Sequence, residues 1–225
     1  MKRLLITIDG PGGAGKTTLS RLLAARLGYR YIDTGALYRG IALAVKNAKI
    51  DSDCEEKIGE LCEKLEFNFI WAEAGLRLIC NGEDISDRIR TPEISMLASA
   101  VSAKPVVRRF LLDLQRSLAT AGGTVFEGRD MGTVVFPRAD IKFFLDASLK
   151  TRALRRYKEL VLSADVSFEA VENDMRRRDE NDSSRALAPL KPAQDAVMID
   201  SSGLSIEKVL DRMLSRVKEK NEAAA

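Results

Sequence analysis

The chain has 225 residues, of which 45% are hydrophobic, enough for the core of one domain with an elaboration. Its 36 basic and 33 acidic residues give a net charge of +3, which is too small to indicate nucleic-acid binding by itself. The absence of histidine excludes a Ser–His triad and any histidine-ligated metal. The three cysteines lack Cys-x-x-Cys spacing, so we expect neither a disulfide framework nor a zinc site.

The sequence gives no sign of a membrane or secretory segment. No window approaches the roughly 20 apolar residues that a membrane span requires. The N-terminal residues show neither the apolar stretch nor the small-residue cleavage site of a signal peptide. We therefore expect a cytoplasmic protein that has no membrane partner.

The first third of the chain reads as strand, loop and helix. The apolar, β-branched run at 4–8 predicts a buried parallel strand that ends at Asp9. Glycine and proline dominate residues 10–15, and a helix begins near Lys16 and is stopped by Gly28. A second helix should follow the segment Asp33-Thr34-Gly35.

The hydrophobic pattern changes in the middle of the chain. A helix is predicted at 53–65, followed by two short apolar runs at 67–70 and 76–79 on either side of Ala74-Gly75. These runs predict a small antiparallel hairpin, so we place an insertion at about 66–90. Two more helices are expected at 92–102 and 106–120, separated by Pro105.

The α/β alternation resumes in the last third. Strands are predicted at 124–127, 141–145 and 197–199. Helices are predicted at 148–160, at 167–180 and from Ser205 to about Lys218. We expect Ser183-Ser184 to break the second of these and residues 221–225 to fray. Alternating strands and helices predict an α/β fold with a parallel sheet covered on both faces.

Residues 10–17, Gly-Pro-Gly-Gly-Ala-Gly-Lys-Thr, fit the phosphate-binding pattern G-x-x-x-x-G-K-[ST] in the required context of a strand before and a helix after. The glycines let backbone amides turn toward phosphate oxygens, and the helix adds its positive N-terminal end. Lys16 would reach the β- and γ-phosphates, and the Thr17 hydroxyl could ligate Mg²⁺. The loop predicts ATP or GTP; the Asn-Lys-x-Asp motif that reads guanine is absent.

The loop does not identify the reaction. Shikimate- or gluconate-type kinases and P-loop ATPases that drive motion share it. Thr34 and Arg39 could bind an acceptor phosphate together, or they could be a helix N-cap and a surface arginine. Arginine clusters at 152–156 and 176–178 could likewise contact nucleotide or be solvated helix faces.

Four segments, in this order, resemble bacterial cytidylate kinase. They are the loop 10–18, the segment 33–39, the run Phe-Glu-Gly-Arg-Asp-Met-Gly-Thr-Val-Val-Phe-Pro at 126–137, and Ser-Arg-Ala-Leu-Ala-Pro-Leu at 184–190. The resemblance covers essentially the whole chain. It implies a three-layer P-loop nucleoside monophosphate kinase fold, with a central parallel sheet of about five strands and helices on both faces. It also implies one kinase domain over 1–225, with a CMP-binding region at about 34–105 and a lid at about 150–186.

The resemblance also implies roles for individual residues. ATP would be bound by Gly10, Pro11, Gly12, Gly13, Ala14, Gly15, Lys16, Thr17 and Thr18. CMP would be bound by Thr34, Tyr38, Arg39, Ser99, Arg108, Arg129, Asp130, Arg178, Asp182 and Arg185. The catalytic residues would be Lys16, Arg129, Arg178 and Arg185. Mg²⁺ would be held by Thr17 with the nucleotide phosphates, and by Glu127 through a bound water.

Two departures from the family pattern concern these sites. Relatives often have aspartate where this chain has Glu127, and their lid carries more arginine than the stretch between Asp179 and Arg185. The expected activity is transfer of a phosphoryl group from ATP to CMP, and also to dCMP, by a monomer that binds no nucleic acid. The alternatives are another small-molecule P-loop kinase or a nucleotide-dependent nucleic-acid-binding module.

Overall fold

The computed structural model describes residues 3–72, 75–119, 122–162 and 165–223. They form two compact units. The first comprises Met1–Tyr31 and Ala121–Ala225, and the second comprises Ile32–Thr120.

In chain order, the elements up to the end of the second unit are β1 (Leu5–Asp9), α1 (Lys16–Leu27), β2 (Arg30–Asp33), α2 (Thr34–Asn47), α3 (Glu55–Cys62), β3 (Phe67–Ala72), β4 (Gly75–Cys80), β5 (Glu83–Asp84), a 3₁₀ turn (Arg88–Arg90), α4 (Pro92–Val101) and α5 (Pro105–Ser117). The remaining elements are β6 (Thr124–Glu127), a π-helical turn (Met131–Val135), β7 (Ile141–Asp146), α6 (Leu149–Leu160), α7 (Phe168–Ser184), β8 (Val197–Asp200) and α8 (Ile206–Glu222).

The central sheet has five strands in the order β2-β6-β1-β7-β8. Strand β1 pairs in parallel with β6 and with β7, so that Ile8 lies opposite Glu127 on one side and Phe143 on the other. The expectation of a five-stranded parallel sheet is confirmed. The four strands β1, β6, β7 and β8 each end on an acidic residue, namely Asp9, Glu127, Asp146 and Asp200. Because parallel strands end at one edge, this edge carries the polar groups where such folds bind ligands.

The apolar residues of β1, β6 and β7 explain why the sheet is central. Ile6, Ile8, Val125 and Phe126 are fully buried, as a parallel strand covered on both faces requires. Gly10 follows β1 with φ of 144°, and a Cβ there would lie 1.9 Å from the Leu145 carbonyl oxygen. Only glycine can therefore leave the sheet at this point.

The second unit has its own core. Leu37, Ile41 and Val45 repeat along α2 at helical spacing and pack with Ile58, Leu111 and other buried apolar residues from α3 to α5. The predicted hairpin is confirmed: β3 and β4 pair antiparallel, with Phe67 opposite Cys80, and β5 adds a short third strand. The turn residue Ala74 lies outside the described residues.

Helix α7 corrects one expectation. Ser183 and Ser184 do not break it but are its last two residues. Their hydroxyls donate to the carbonyls of Asp179 and Glu180, both at 2.7 Å, one turn earlier, which is compatible with helical backbone. Helix α8 also continues through Asn221 and Glu222, where fraying was expected. The partition of the chain into a CMP-binding region and a lid stays a prediction.

Candidate active site

The phosphate-binding loop connects β1 to α1 as the sequence predicts. Gly15 caps the helix with φ of 95°, a backbone conformation that favours glycine. Lys16, the first residue of α1, is only 4% exposed, and its Nζ donates to the Pro11 carbonyl at 2.7 Å. The lysine side chain therefore lies against the backbone of the phosphate-binding loop.

A hydroxyl and a carboxylate meet next to this loop. Thr17 Oγ1 donates to Glu127 Oε1 at 2.8 Å, and the Tyr31 hydroxyl donates to the other carboxylate oxygen at 2.7 Å. Glu127 is therefore fixed at the end of β6 by two side chains, one of them from α1. Oxygen ligands of this kind are those that Mg²⁺ prefers. Sequence reasoning found Thr17 and Glu127 but missed Tyr31.

Three predicted arginines of the first unit surround Asp182 on α7. Arg129 Nε donates to Asp182 Oδ2 at 3.0 Å, and Arg185 Nη1 lies 3.7 Å from Asp182 Oδ1. Burial opposes ionisation of Asp182, yet Arg129, Arg178 and Arg185 together hold its pKa below the ordinary value. One carboxylate thus organises a cluster of positive charge.

The same positive charge acts on Lys16. Burial lowers the pKa of its ammonium group, and Arg129 and Arg178 lower it further, against the opposing effect of Glu127 and Asp9. Cations that lie close together away from water repel one another, and a bound anion relieves that repulsion. This electrostatic pattern fits a polyphosphate ligand.

Asp9 links this loop to the segment that carries Arg129 and Asp130. Its Oδ1 accepts from the Met131 amide at 2.9 Å, and its Oδ2 accepts from the Gly132 amide at 2.7 Å. Burial raises the pKa of Asp9 to about 6 in spite of these two bonds. The sequence marked Asp9 only as the end of a strand, because its partners lie more than 120 positions away along the chain.

The acceptor residues of the second unit are organised by Asp33. Asp33, and not Thr34, is the N-cap of α2: its Oδ1 accepts from the Ala36 amide at 3.2 Å. Its Oδ2 accepts from Arg39 Nη2 at 2.7 Å, and Arg90 Nη2 lies 3.9 Å away. Burial opposes ionisation of Asp33, but Arg39 and Arg90 hold its pKa below the ordinary value. Arg39 is therefore held in place by an ion pair and is not a free surface arginine.

Family resemblance predicts that Ser99, Arg108 and Asp130 surround the base; Ser99 lies on α4, Arg108 on α5, and Asp130 follows β6 in the first unit. The Arg108 guanidinium carbon lies 5.8 Å from the ring centre of Tyr38, and Arg108 Nη1 donates to the Ser102 carbonyl at 3.2 Å. Two buried atoms, Ser99 Oγ and Arg39 Nε, have no hydrogen-bond partner among the described residues. Buried polar atoms normally have partners, so both are available to a ligand.

The first unit brings together Lys16, Thr17, Glu127, Arg129, Arg178, Asp182 and Arg185, and it places Asp130, which is 2% exposed, next to Arg129. The second unit places Thr34 at the start of α2, directly after Asp33, which binds Arg39. The arginines at 152–156 separate into two kinds. Arg152 and Arg155 contact the phosphate-binding loop, whereas Arg156 pairs with Glu159 at the surface.

A five-stranded parallel sheet, a phosphate-binding loop after β1 and a half-buried cluster of arginines define a P-loop kinase. A gluconokinase from Sinorhizobium meliloti shares the fold, with a TM-score of 0.51 at 13% identity over 99% of this chain and 98% of that one. The family model of cytidylate kinases matches residues 6–219. The chain therefore belongs to the cytidylate kinase family.

Curated relatives agree with this assignment. The chain is 54% identical to a cytidylate kinase of Geobacter sulfurreducens over 98% of this chain and 95% of the relative. It is 45% identical to a cytidylate kinase of Vibrio cholerae over 96% of each. Within the described residues, no helix is both long and apolar enough to cross a membrane.

Proposed function

We propose that this chain transfers the γ-phosphoryl group of ATP to CMP, and also to dCMP, giving ADP and CDP or dCDP. The observation that carries the proposal is the cluster of half-buried arginines around the buried Asp182 and beside Lys16, in a chain of the cytidylate kinase family. Phosphoryl transfer requires positive charge around the transferring group and little acid–base help. A chain without histidine suffices for this chemistry.

The donor side of the reaction is assigned to the first unit. Residues Gly10 to Thr18 would bind the ATP phosphates through backbone amides, with Lys16 at the β- and γ-phosphates. Mg²⁺, bound with the nucleotide, would be ligated by Thr17 and contacted by Glu127 through a bound water. The 2.8 Å contact between these two side chains supports this pairing. When bound, the ion would neutralise phosphate charge during transfer.

No group of three potential ligands among His, Cys, Asp and Glu that could hold a metal occurs within the described ranges. That pattern suits Mg²⁺, which usually binds through one or two carboxylates plus substrate phosphates.

The acceptor side is assigned from the roles that the family resemblance implies. Thr34, Arg39 and Arg129 would bind the CMP phosphate, and Ser99, Arg108 and Asp130 would surround the cytosine. Tyr38 would also contact CMP. A phosphate oxygen of CMP attacks the γ-phosphorus of ATP, and the bond from that phosphorus to the β–γ bridging oxygen breaks. Arg129, Arg178 and Arg185 would stabilise the charge that develops on the transferring oxygens. Asp182, which already binds Arg129, would contact the sugar from the lid side.

Recognition of the base follows from hydrogen-bond type. Ionised Asp130 can only accept, which suits the cytosine amino group, and Arg108 can only donate, which suits cytosine N3 and O2. UMP would present an oxygen to Asp130 and an N–H to Arg108. Each mismatch removes a hydrogen bond between the base and a charged group, at about 1.5–3 kcal/mol.

An acceptor panel tests the proposal. The purified chain is incubated with ATP and Mg²⁺ and with CMP, dCMP, UMP, AMP or shikimate, and ADP production is coupled to NADH oxidation. We expect turnover with CMP and dCMP that greatly exceeds turnover with the others. Equal use of shikimate, or no use of CMP by a folded protein that binds ATP, would refute the proposal.

We also propose that the enzyme acts as a cytoplasmic monomer without nucleic acid. Light scattering across a hundredfold concentration range should give the mass of one chain. Salt-sensitive binding to single-stranded nucleic acid without transfer to CMP would favour the binding-module alternative.

A further inference from the structure

Three side chains that no assignment above places in the nucleotide sites bind the backbone of the phosphate-binding loop. Arg152 and Arg155 come from α6, and Ser201 follows β8. Their acceptors are the carbonyl oxygens of three consecutive loop residues, Gly12, Gly13 and Ala14. The distances are 3.2 Å from Arg152 Nη1, 3.3 Å from Arg155 Nη1 and 3.0 Å from Ser201 Oγ. Lys16 binds the preceding carbonyl, that of Pro11.

The consequence for the loop follows from peptide geometry. In a trans peptide the carbonyl of one residue and the amide N–H of the next point in opposite directions, and the described residues contain no cis peptide. Carbonyls that are bound by α6 and by Ser201 therefore direct the amides of Gly13, Ala14 and Gly15 the other way. Successive amides that converge on one side of a loop form an anion-binding concavity.

The three donors are themselves held firmly. Arg152 Nε donates to the Ala147 carbonyl at 2.8 Å, and its Nη1 lies 2.7 Å from Asp179 Oδ2. Arg155 donates to Ser201 twice, from Nη1 to the hydroxyl at 3.2 Å and from Nη2 to the carbonyl at 2.8 Å. Ser201 is only 3% exposed. Side chains that are fixed before the ligand arrives lose little freedom when it binds.

The loop also packs tightly onto α6. A Cβ added at Gly13 would lie 3.0 Å from both the Cβ and the carbonyl oxygen of Arg152. Gly13 has φ of 74°, which favours glycine. The backbone of the loop at Gly13 therefore lies close to α6, next to the carbonyls that the α6 arginines bind.

We propose that Arg152, Arg155 and Ser201 are positioning residues of the donor site, which hold three loop carbonyls so that the following amides face the ATP phosphates. The inference rests on the proposed function only in that the loop binds ATP; it does not depend on the identity of the acceptor. None of the three needs to touch the nucleotide in this role. Arg152 binds both the Gly12 carbonyl of the loop and Asp179 of α7, so one side chain connects the loop to the helix that carries Arg178.

Ser201 gives the sharpest test, because one hydroxyl can be removed and returned. In Ser201→Ala the Ala14 carbonyl loses its donor, whereas Ser201→Thr keeps a hydroxyl at the same place. Dissociation constants for ADP with Mg²⁺ and for CMP alone are measured by titration calorimetry. We expect Ser201→Ala to weaken ADP binding about fivefold, which is the effect of one ordinary hydrogen bond, with Ser201→Thr close to the parent chain. CMP binding should change less than twofold in both.

Arg155→Ala extends the test to α6, and Lys158→Ala is its control. Lys158 is an exposed cation on the same helix, so its removal changes the charge of α6 equally without touching the loop. We expect Arg155→Ala to weaken ADP binding tenfold or more and Lys158→Ala to leave it within twofold. Should Arg155→Ala fail to fold, the two Ser201 variants decide alone.

Two results overturn the inference: ADP binding within twofold of the parent chain in Ser201→Ala, or parallel weakening of ADP and CMP binding, which general destabilisation would cause. A parent chain that binds ADP but does not phosphorylate CMP would refute the proposed function and leave this inference intact.

Discussion

Replacing Asp9 by asparagine should change how the stability of the protein depends on pH. Asp9 is buried at the end of β1, and burial raises the pKa of its carboxyl from 3.8 to about 6. A raised pKa means that the folded state binds the proton more tightly than the unfolded state. The stabilising contribution of the protonated carboxyl is therefore fully present below pH 3.8 and is lost as the pH rises through 6.

The magnitude follows from the shift. About two pKa units at about 1.4 kcal/mol each amount to about 3 kcal/mol at neutral pH, and roughly half of this develops between pH 5 and 7. Asparagine has no such titration. It does present an N–H in place of one acceptor to the amides of Met131 and Gly132, which is a penalty that does not vary with pH. The free-energy difference between the two proteins therefore contains the titration of Asp9 and its electrostatic coupling to Lys16.

The assay is reversible urea unfolding of the parent chain and of Asp9→Asn at several pH values from 5 to 7.5. The unfolding free energy of the parent chain should fall relative to that of Asp9→Asn as the pH rises. Asp200→Asn is the matched control at the end of β8, since hydrogen bonds from Ser202 lower the pKa of Asp200 and its titration lies below this range. A difference between the parent chain and Asp9→Asn that stays constant from pH 5 to 7.5 would show that the pKa of Asp9 is not raised in the folded protein.

Four further predictions concern the nucleotide sites. Lys16→Ala should fold and lose about 10²–10³-fold in kcat, because a focused charge at the phosphates is gone; near-normal turnover would contradict its role. Arg39→Ala and Arg129→Ala should each raise KM for CMP while ADP affinity stays constant, since a buried charged contact contributes about 1.5–3 kcal/mol; the reverse pattern would place them on the donor nucleotide. Asp130→Asn should lower kcat/KM for CMP steeply and for UMP little, and a parallel loss would make Asp130 structural or catalytic. Amide exchange in α6 and α7 should slow when ATP and CMP analogues bind together; unchanged exchange counts against a closing lid.

Local patterns in the sequence predict the framework of this fold well. Adjacent residues are enough to predict the strand before residue 10, the loop that follows it and the helix that ends at Gly28. All three occur where expected. The hairpin at β3 and β4 follows in the same way from two short apolar runs. These features depend on backbone conformation and burial, which neighbouring residues largely determine.

Contacts between distant parts of the chain could not be predicted in this way. The carboxylate of Asp9 binds amides more than 120 positions away, and Ser201 binds a carbonyl 187 positions away. The sequence does not show which arginines of α6 contact the phosphate-binding loop and which lie at the surface. Arg155 and Arg156 are adjacent in sequence and differ only in the direction in which their side chains leave the helix. Asp33 belongs to a segment that the sequence singled out. Its hydrogen bond to Arg39 could not be predicted, because it depends on how the first turns of α2 orient the two side chains.

The fate of the γ-phosphorus distinguishes phosphoryl transfer to CMP from hydrolysis of ATP. ATP labelled with ³²P at the γ-position is mixed with the enzyme, Mg²⁺ and CMP, and the products are separated by thin-layer chromatography. We predict one label in the β-phosphate of CDP for each ADP formed, and transfer that is about 10²–10³-fold slower in Lys16→Ala. Label recovered as inorganic phosphate, or ADP formed at the same rate without CMP, would contradict it.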